Sequence, residues 1–432
     1  MKPSWTTAVA MLFFAVLFTH CARKEENIIH PQDYAAYLNR PSDQSLLKCD
    51  EELAFWQAKL SEVPESETYR GKIAGLLAAR FMLNGRIQDI KASDSLYHRI
   101  LSSTKQDYAS LHRSLAANYM TQHRFREAKE EITRALAIGE GKAASLYMLV
   151  DVNIELGDYP AARTAMQEFA NKDFFPYVIR QAKLKDHEGH LDSAILLMEG
   201  VMDQIKHDPA TMQWTQSNLA DMYGHAGRVG EAYNMYLDIL KQNPDYDYAL
   251  KGIAWIAFSH DHNTAEAKRI VHVISMKRAS PDMHLLLAEI AGAEGDVLEK
   301  ERQLTTFARA ATAPEYGDMY NKYLALLEAE EFSNAKRTIE IARKEINNRP
   351  TPQSYDLLAW GYFRDGKKAQ ALAIAREYIE NKTFEPEALY HMAMIHEANG
   401  NEEEAQRYFE EAAGSVFELG PAVATEIDKH LN

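Results

Sequence analysis

Residues 109–138 read ASLHRSLAANYMTQHRFREAKEEITRALAI. Apolar residues recur at helical spacing on both sides of a short polar run, which predicts two antiparallel helices joined by a turn. The small residues Ala116 and Ala128 permit a close crossing of the two helices, with Tyr119 and Ile132 filling the space beside it. Neither helix can bury its apolar stripe alone, so the pattern predicts stacking against further helices.

A short sequence motif at the turn of this segment recurs along the chain, and it typically ends in a small residue. The recurring positions are Ala128, Ala162, Ala194, Ala232, Ala267, Ala335, Ala371 and Ala405, and between Ala267 and Ala335 the same position is occupied by Lys300. Neighbouring positions are separated by 32 residues (162 to 194) at the least and by 38 residues (194 to 232) at the most. A period of this length indicates an array of helical repeats rather than several globular domains.

The repeated unit resembles the tetratricopeptide repeat. The unit from Ala109 carries the family's small, aromatic and aliphatic residues at Leu115, Ala116, Tyr119, Phe125, Ala128, Ile132 and Ala135. Later units match at Leu219, Ala220, Tyr223, Ala232, Tyr236 and Pro244, at Tyr355, Leu358, Ala359, Tyr362, Gly366 and Ala371, and at Met392, Ala393, Gly400, Ala405, Phe409 and Ala412. The units from about Phe175 and Pro281 match less closely and could be distorted, because Lys185 and Ala291 replace an aromatic residue.

The resemblance covers residues 76–413 and implies an all-α, right-handed superhelical solenoid of about nine to ten helix pairs. Capping helices are expected at about 50–62 and at about 422–431, because the end faces of a repeat array need a cover. The solenoid is therefore predicted to occupy residues 46–432, with no second domain.

The N-terminus has the features of an export signal. A basic start precedes an uncharged apolar run over residues 6–18, which is too short to span a bilayer comfortably. We predict a signal peptide over residues 1–20. The segment resembles a bacterial lipoprotein signal in which Cys21 is lipidated, although His20 stands where such signals usually have Gly, Ala or Ser. Alternatively, Cys21 is an ordinary residue after a secretory cleavage site or a short anchor.

Residues 21–45 are polar, contain Pro31 and Pro41, and show no sustained helical period. This composition predicts a polar tether between a lipid anchor and the folded body. The only other cysteine is Cys49, so a lipidated Cys21 would leave no partner for an intramolecular disulfide.

Charge and motifs exclude several classes of function. The chain has 48 Lys and Arg against 63 Asp and Glu, a formal net charge of -15, which argues against a nucleic-acid partner. Residues 187–190 (HEGH) have histidines three apart rather than the four of a zinc protease helix, so we interpret them as a polar turn. His391 and His396 are interpreted as packing residues. The chain is thus predicted to be non-enzymatic, with no catalytic residues, metal or cofactor.

The resemblance places the first helix of each unit along a concave groove. The residues expected to face a partner there are Arg113, Tyr147, Asp151, Trp214, Asp221, Tyr320, Trp360, Arg364 and Tyr390. Aromatic rings interleaved with acids suit an extended basic or neutral peptide. Ala117 and Asp151 occupy positions where the carboxylate-clamp subgroup has asparagines, which argues against that specialised activity.

These features predict an exported, lipid-anchored scaffold or adaptor that binds a protein or peptide partner in its groove. Its expected location is the bacterial cell envelope, on the periplasmic or the outer-membrane face, with the membrane contacted through the N-terminal lipid. The alternative is a lipoprotein that captures a glycan or peptide for an outer-membrane transporter. The largest repeat spacing, 38 residues, leaves little room for the insertions that build sugar sites in helical arrays.

Overall fold

The structure is a computed structural model that describes residues 27–40, 43–104, 106–169 and 171–432. The predicted signal peptide and Cys21 lie outside the described residues. The described part of the chain is built from helices and contains no strand. The predicted all-α solenoid is therefore confirmed.

Twenty of the helices form ten antiparallel pairs, which agrees with the predicted nine to ten. The pairs are α3 (Glu67–Asn84) with α4 (Ile87–Ser103), α5 (Ala109–Thr121) with α6 (Phe125–Ile138), α7 (Lys142–Glu155) with α8 (Tyr159–Gln167), α9 (Phe175–His187) with α10 (Leu191–Ile205), α11 (Pro209–His225) with α12 (Val229–Gln242), α13 (Asp247–Trp255) with α14 (Thr264–Lys277), α15 (Met283–Ala293) with α16 (Val297–Ala311), α17 (Asn321–Glu330) with α18 (Ala335–Asn348), α19 (Pro352–Arg364) with α20 (Lys368–Tyr378), and α21 (Pro386–Ala398) with α22 (Glu402–Ala413). The three remaining helices are α1 (Pro31–Leu38), α2 (Gln44–Glu62) and α23 (Val416–Leu431).

The pair of α5 and α6 shows how the repeat packs. Ala116, Ala128 and Ile132 are completely buried, as the crossing of small residues requires. In the next pair, Gly157 ends α7 in the left-handed region with φ 73°, which glycine adopts without steric strain. Asp158 then begins α8 by accepting a hydrogen bond from the backbone N–H of Ala161 at 3.1 Å.

The distorted unit is not one of the two that the sequence indicated. The pairs of α9 with α10 and of α15 with α16 are regular, so the expected distortion near Phe175 and Pro281 is wrong. Instead, α13 continues into a π-helical turn at Ile256–His260. The ring of Tyr236 fills the space beside Gly252 on α13, where any side chain would clash with it.

Helices at both ends of the array pack against its terminal pairs. α2 packs against α3 through Leu53, Ile73 and Leu77. α23 contacts α22 and changes direction at Gly420, which has φ 80°. Both helices begin six residues before the expected start, at 44 rather than 50 and at 416 rather than 422.

The predicted polar tether is wrong for residues 27–40. This segment contains α1 and packs against the middle of the solenoid, where Ile29, Tyr34 and Leu38 join the core around α12 and α14. Asp261 accepts hydrogen bonds from the backbone N–H groups of Ile28 (3.1 Å) and Ile29 (3.0 Å). The sequence pattern did not indicate a helix here for two reasons. α1 is only two turns long, and Pro31 occupies the first helical position rather than interrupting a helix.

The solenoid winds back onto itself along a contact zone that we call the seam. The seam joins the turns of early pairs, near residues 82–86, 123–126, 155–163 and 187–190, to the later loops near residues 278–280, 313–316, 347–352 and 381–384. Arg126 Nε donates to the carbonyl of Asn347 at 2.7 Å, and Asn348 Nδ2 donates to the carbonyl of His123 at 2.9 Å. The array is thus closed by contacts between residues about two hundred positions apart.

Among the described helices, none combines the length and the apolar character needed to cross a membrane.

Candidate functional site

Charged side chains from four first helices and from α23 lie near one another on the concave side of the array. We call this group the inner channel and define it by Asp186, Glu289, Lys322, Glu387 and Glu418. Lys322 Nζ on α17 lies 2.7 Å from Glu387 Oε2 on α21. Asp186 on α9 is close enough to Glu418 on α23 to help raise the pKa of Glu418. Four of these five residues are acids, and Lys183, Lys251, Lys300 and His225 lie close enough to offset part of their negative charge.

Three of the four carboxyl groups of the inner channel have a raised pKa, whereas for Glu387 the Lys322 ammonium group outweighs desolvation and lowers the pKa. Desolvation raises the pKa of Asp186 and of Glu418, and Glu385 adds repulsion to both. Desolvation and repulsion from Glu330 and Glu387 raise the pKa of Glu289 to about 7. A cationic group entering the channel would relieve this repulsion.

A cavity of about 420 Å³ opens on this concave side, between α11, α13, α15, α17 and α23. We call it the concave cavity and define it by Asp221, Tyr248, Trp255, Tyr323 and Phe417. The Tyr248 hydroxyl donates to Asp221 Oδ2 at 2.5 Å, and the Tyr236 hydroxyl donates to Oδ1. The side chains of Tyr248 and Tyr323 are 42% and 44% exposed, so both rings are accessible from solvent.

The C-terminal helix supplies one wall of the concave cavity. The carbonyl of Phe417 accepts hydrogen bonds from Trp255 Nε1 at 2.9 Å and from Ser259 Oγ at 2.7 Å. The Phe417 ring lies against Gly224 of α11, where a larger residue would clash. Two hydrogen bonds and this close approach hold the wall in place.

The concave cavity offers both apolar and acidic contacts to a ligand. Its rings offer apolar contact area, and Asp221 and Glu418 offer acceptors for a basic group. Asp221 already accepts hydrogen bonds from two tyrosine hydroxyls. Desolvation raises the pKa of Asp221, and these two hydrogen bonds lower it by less than desolvation raises it. Within the described residues, no group of three or more His, Cys, Asp or Glu side chains is arranged to hold a metal ion.

Only Asp221 among the nine predicted groove residues lines the concave cavity. Trp214 is 46% exposed on α11, outside that cavity. Arg113 donates to the carbonyl of Glu140 at 2.7 Å and to Ser145 Oγ at 3.2 Å, so it supports the start of α7.

Three further predicted residues make contacts within the protein. Arg180 lies over the ring of Tyr147, 5.0 Å from its centroid, and its Nη2 is 2.5 Å from Asp151 Oδ2. Tyr320 packs edge-on against Phe307, with ring centroids 5.7 Å apart. These residues stabilise contacts between neighbouring pairs.

Trp360, Arg364 and Tyr390 form a separate cluster around His391. Trp360 is buried and stacks on His391 with centroids 4.0 Å apart, so the prediction that it faces a partner is wrong for this structure. Arg364 is exposed and lies 5.8 Å from the Trp360 ring. His391 Nδ1 is 2.8 Å from Asp356 Oδ2. Burial lowers the pKa of His391, but the Asp356 carboxylate more than offsets this and raises it above its usual value.

The sequence missed most of the concave cavity. Tyr248 and Trp255 are seven residues apart on one face of α13, and this spacing could have identified them. Tyr236 belongs to a second helix, where the repeat pattern assigns a packing role. Phe417 reaches the cavity only because α23 folds back into the groove, which no local pattern predicts.

Comparisons with known proteins agree with this architecture. A family model described as tetratricopeptide repeat matches residues 386–415. No curated protein matches the chain. Among solved structures, human IFIT1, solved as a dimer with PPP-AAAA, is 14% identical over 84% of this chain and 94% of that chain, with a TM-score of 0.43.

Two further solved structures are also similar. PilW, described as a widely conserved type IV pilus biogenesis factor, is 15% identical over 48% of this chain and 96% of that chain, with a TM-score of 0.38. A tetratricopeptide repeat protein from Parabacteroides merdae is 15% identical over 75% of this chain and 98% of that chain, with a TM-score of 0.29.

Proposed function

Because the chain is a tetratricopeptide repeat protein, we propose that it is an exported, lipid-anchored, non-enzymatic scaffold that binds a protein or peptide partner at the bacterial cell envelope. Arrays of this kind use extended concave surfaces for recognition. The observation that carries the proposal is the concave cavity, in which the exposed rings of Tyr248 and Tyr323 lie beside Asp221.

The chemistry of the cavity defines the partner segment. Exposed tyrosines contribute large contact areas at low conformational cost, which favours an apolar anchor side chain. The excess of carboxylates in the inner channel favours a neighbouring basic residue. We therefore propose that the partner segment is extended and combines an apolar anchor side chain with a positive charge. We do not propose a nucleic-acid partner.

A double variant tests the cavity. Tyr248→Ala with Tyr323→Ala removes two exposed rings, so the helices should remain folded while capture of the partner falls at least about tenfold. Leu298→Ala is the control, because Leu298 is 80% exposed on the outer helix α16. The measurement is affinity capture from an envelope extract followed by identification of the eluted molecules.

The outcomes separate the two candidate functions. One stoichiometric protein that is retained by the control and lost from the double variant supports the scaffold. Equal capture by both variants contradicts the concave cavity as the site. An eluate that contains only carbohydrate or small peptides supports the transporter-linked lipoprotein instead.

The proposed anchor would hold the body close to the membrane. Seven peptide steps separate Cys21 from Ile28, and seven residues span at most about 25 Å. Ile28 is already bonded to Asp261, so the turn before α14 would lie within that distance of the bilayer. Cys21→Ser should release the protein into the soluble fraction, whereas retention with unchanged gel mobility contradicts lipidation and supports an uncleaved anchor.

A further inference from the structure

A second cavity, of about 600 Å³, lies in the seam and is separate from the concave cavity. We call it the seam cavity. Its walls come from the turns around α8 and α10 on one side and from the loops before α19 and α21 on the other. Residues about two hundred positions apart therefore build it, and a ligand bound there would contact both halves of the solenoid.

Two stacked pairs of rings line the seam cavity. Tyr159 stacks on His187 with centroids 3.8 Å apart and planes 19° apart. Tyr355 stacks on Tyr378 with centroids 3.9 Å apart and planes 5° apart. Each ring supports its partner, so the pairs form rigid aromatic walls with polar hydroxyl and imidazole edges. Such walls suit a ring-shaped ligand that has both apolar faces and polar edges.

The polar lining has a surplus of positive charge. Glu188 is the one acid in the lining, and it is already bonded to Arg163 Nη2 (2.6 Å) and to Lys185 Nζ (2.7 Å). The ammonium group of Lys382 donates to the carbonyl of Glu377 and lies 5.8 Å from the Tyr378 ring. It has no carboxylate partner among the described residues. Lys382 is therefore available to pair with an anionic group of a ligand held between the aromatic walls.

Three carboxylates lie near the seam cavity without lining it. Glu377 acts on the Tyr378 hydroxyl, and Glu155 and Glu385 act on the Tyr159 hydroxyl. Arg349 Nη1 lies 3.5 Å from Glu155, which balances that charge. His187 adds no charge of its own at neutral pH, because desolvation and the nearby Arg163 lower its pKa.

We propose that the seam cavity binds an acidic sugar, such as a terminal uronic acid residue of a glycan. The C–H faces of the pyranose ring would stack on the tyrosine rings, and the tyrosine hydroxyls would bond its hydroxyl groups. The carboxylate would pair with Lys382 and Arg163. Both cations are solvent-exposed at the rim, so the rest of a glycan could extend outward.

Binding of D-glucuronate and D-galacturonate to the purified protein tests the proposal, with calorimetry and saturation-transfer NMR as readouts. The neutral sugars D-glucose and D-galactose serve as ligand controls. Loss of one charged hydrogen bond weakens binding about tenfold, so Lys382→Gln and the neutral sugars should both show that reduction. Lys206→Gln is the matched control, since Lys206 is equally exposed and lies outside the seam cavity.

A second variant and a second ligand make the result decisive. Tyr355→Leu keeps apolar volume but removes the stacked ring, and it should abolish saturation transfer to the sugar ring protons. Absence of uronate binding, equal binding of neutral sugars, or equal losses in Lys382→Gln and Lys206→Gln would each overturn the proposal. Tighter binding of 4-hydroxybenzoate than of either uronate would also overturn it in favour of an aromatic acid.

Discussion

The crossing of α5 with α6 and the seam hold the same array together in different ways. The crossing consists of buried apolar residues, among them Ala116, Ala128 and Ile132, that lie within a single repeat. The seam combines backbone carbonyls and charged side chains, such as Arg126 and Arg349, with one small apolar cluster around Ile90 and Tyr316, and all of these contacts join distant parts of the chain. Apolar packing resists opening, whereas polar contacts exchange readily with water. The pairs should therefore be the stable units, and the seam the place where the solenoid opens.

The largest effect is expected inside the crossing. Ile132→Ala should lower the free energy of unfolding by about 2–5 kcal/mol, because it leaves a cavity beside two helices. Ile138→Ala on the same helix is the control, since Ile138 is 37% exposed and should lose less than about 1 kcal/mol. Urea denaturation followed by circular dichroism measures both, and equal losses would show that the crossing does not carry the stability of its pair.

A smaller and more local effect is expected in the seam. Arg349 Nε lies 2.5 Å from Glu345 Oε1, and its guanidinium group also covers the Phe125 ring. Arg349→Met should therefore cost about 1.5–3 kcal/mol, because it leaves the buried Glu345 with only Asn321 as a partner. Helicity should be unchanged, while small-angle scattering should show a more extended particle.

The control for the seam lies on the same helix. Arg343 Nη2 donates to the Tyr362 hydroxyl at 2.8 Å, a contact between neighbouring pairs that does not touch the seam. Arg343→Met should leave the scattering profile unchanged. If the particle is equally extended in both arginine variants, the seam is not the place where the solenoid opens.

The docked N-terminal segment provides a third kind of contact, and its expected effect is smaller than that of the other two. The Tyr34 hydroxyl donates to Glu266 Oε1 at 2.6 Å. Tyr34→Phe should cost about 1.5 kcal/mol and accelerate hydrogen exchange in α1, with little change in α5 and α6. Tyr37→Phe is the control, and equal acceleration in both variants would contradict the role of this hydrogen bond.

This contrast also explains how much the sequence could predict. Contacts within a pair depend on neighbours a few turns away, so Ala128 and Gly157 were assigned correctly from spacing alone. The seam depends on the small rotation between each helix pair and the next, added over several pairs. The spacing of residues within one repeat does not determine that total rotation. Asp221 was predicted correctly as a groove residue because it lies on a first helix. The position of Phe417 and the seam cavity could not be predicted in this way, because both arise only when the array closes.

The smallest effect is expected in the inner channel that this closure creates. Desolvation and repulsion from Glu330 and Glu387 raise the pKa of Glu289 to about 7, although its side chain is exposed to the channel. A carboxyl with a raised folded pKa stabilises the fold fully below its unfolded pKa of about 4.3, and this stability is lost as the pH rises through about 7.

Glu289→Gln should therefore match the parent protein at pH 4 and exceed its stability at pH 8. Solvent screening limits the gain to at most about 1 kcal/mol, since the side chain is exposed. Glu301→Gln on the outer helix α16 is the control, and its stability difference from the parent should not change with pH. Thermal denaturation across this pH range measures both variants. A gain at pH 8 that persists at pH 4 would show that the substitution acts through packing rather than through the charge of the inner channel.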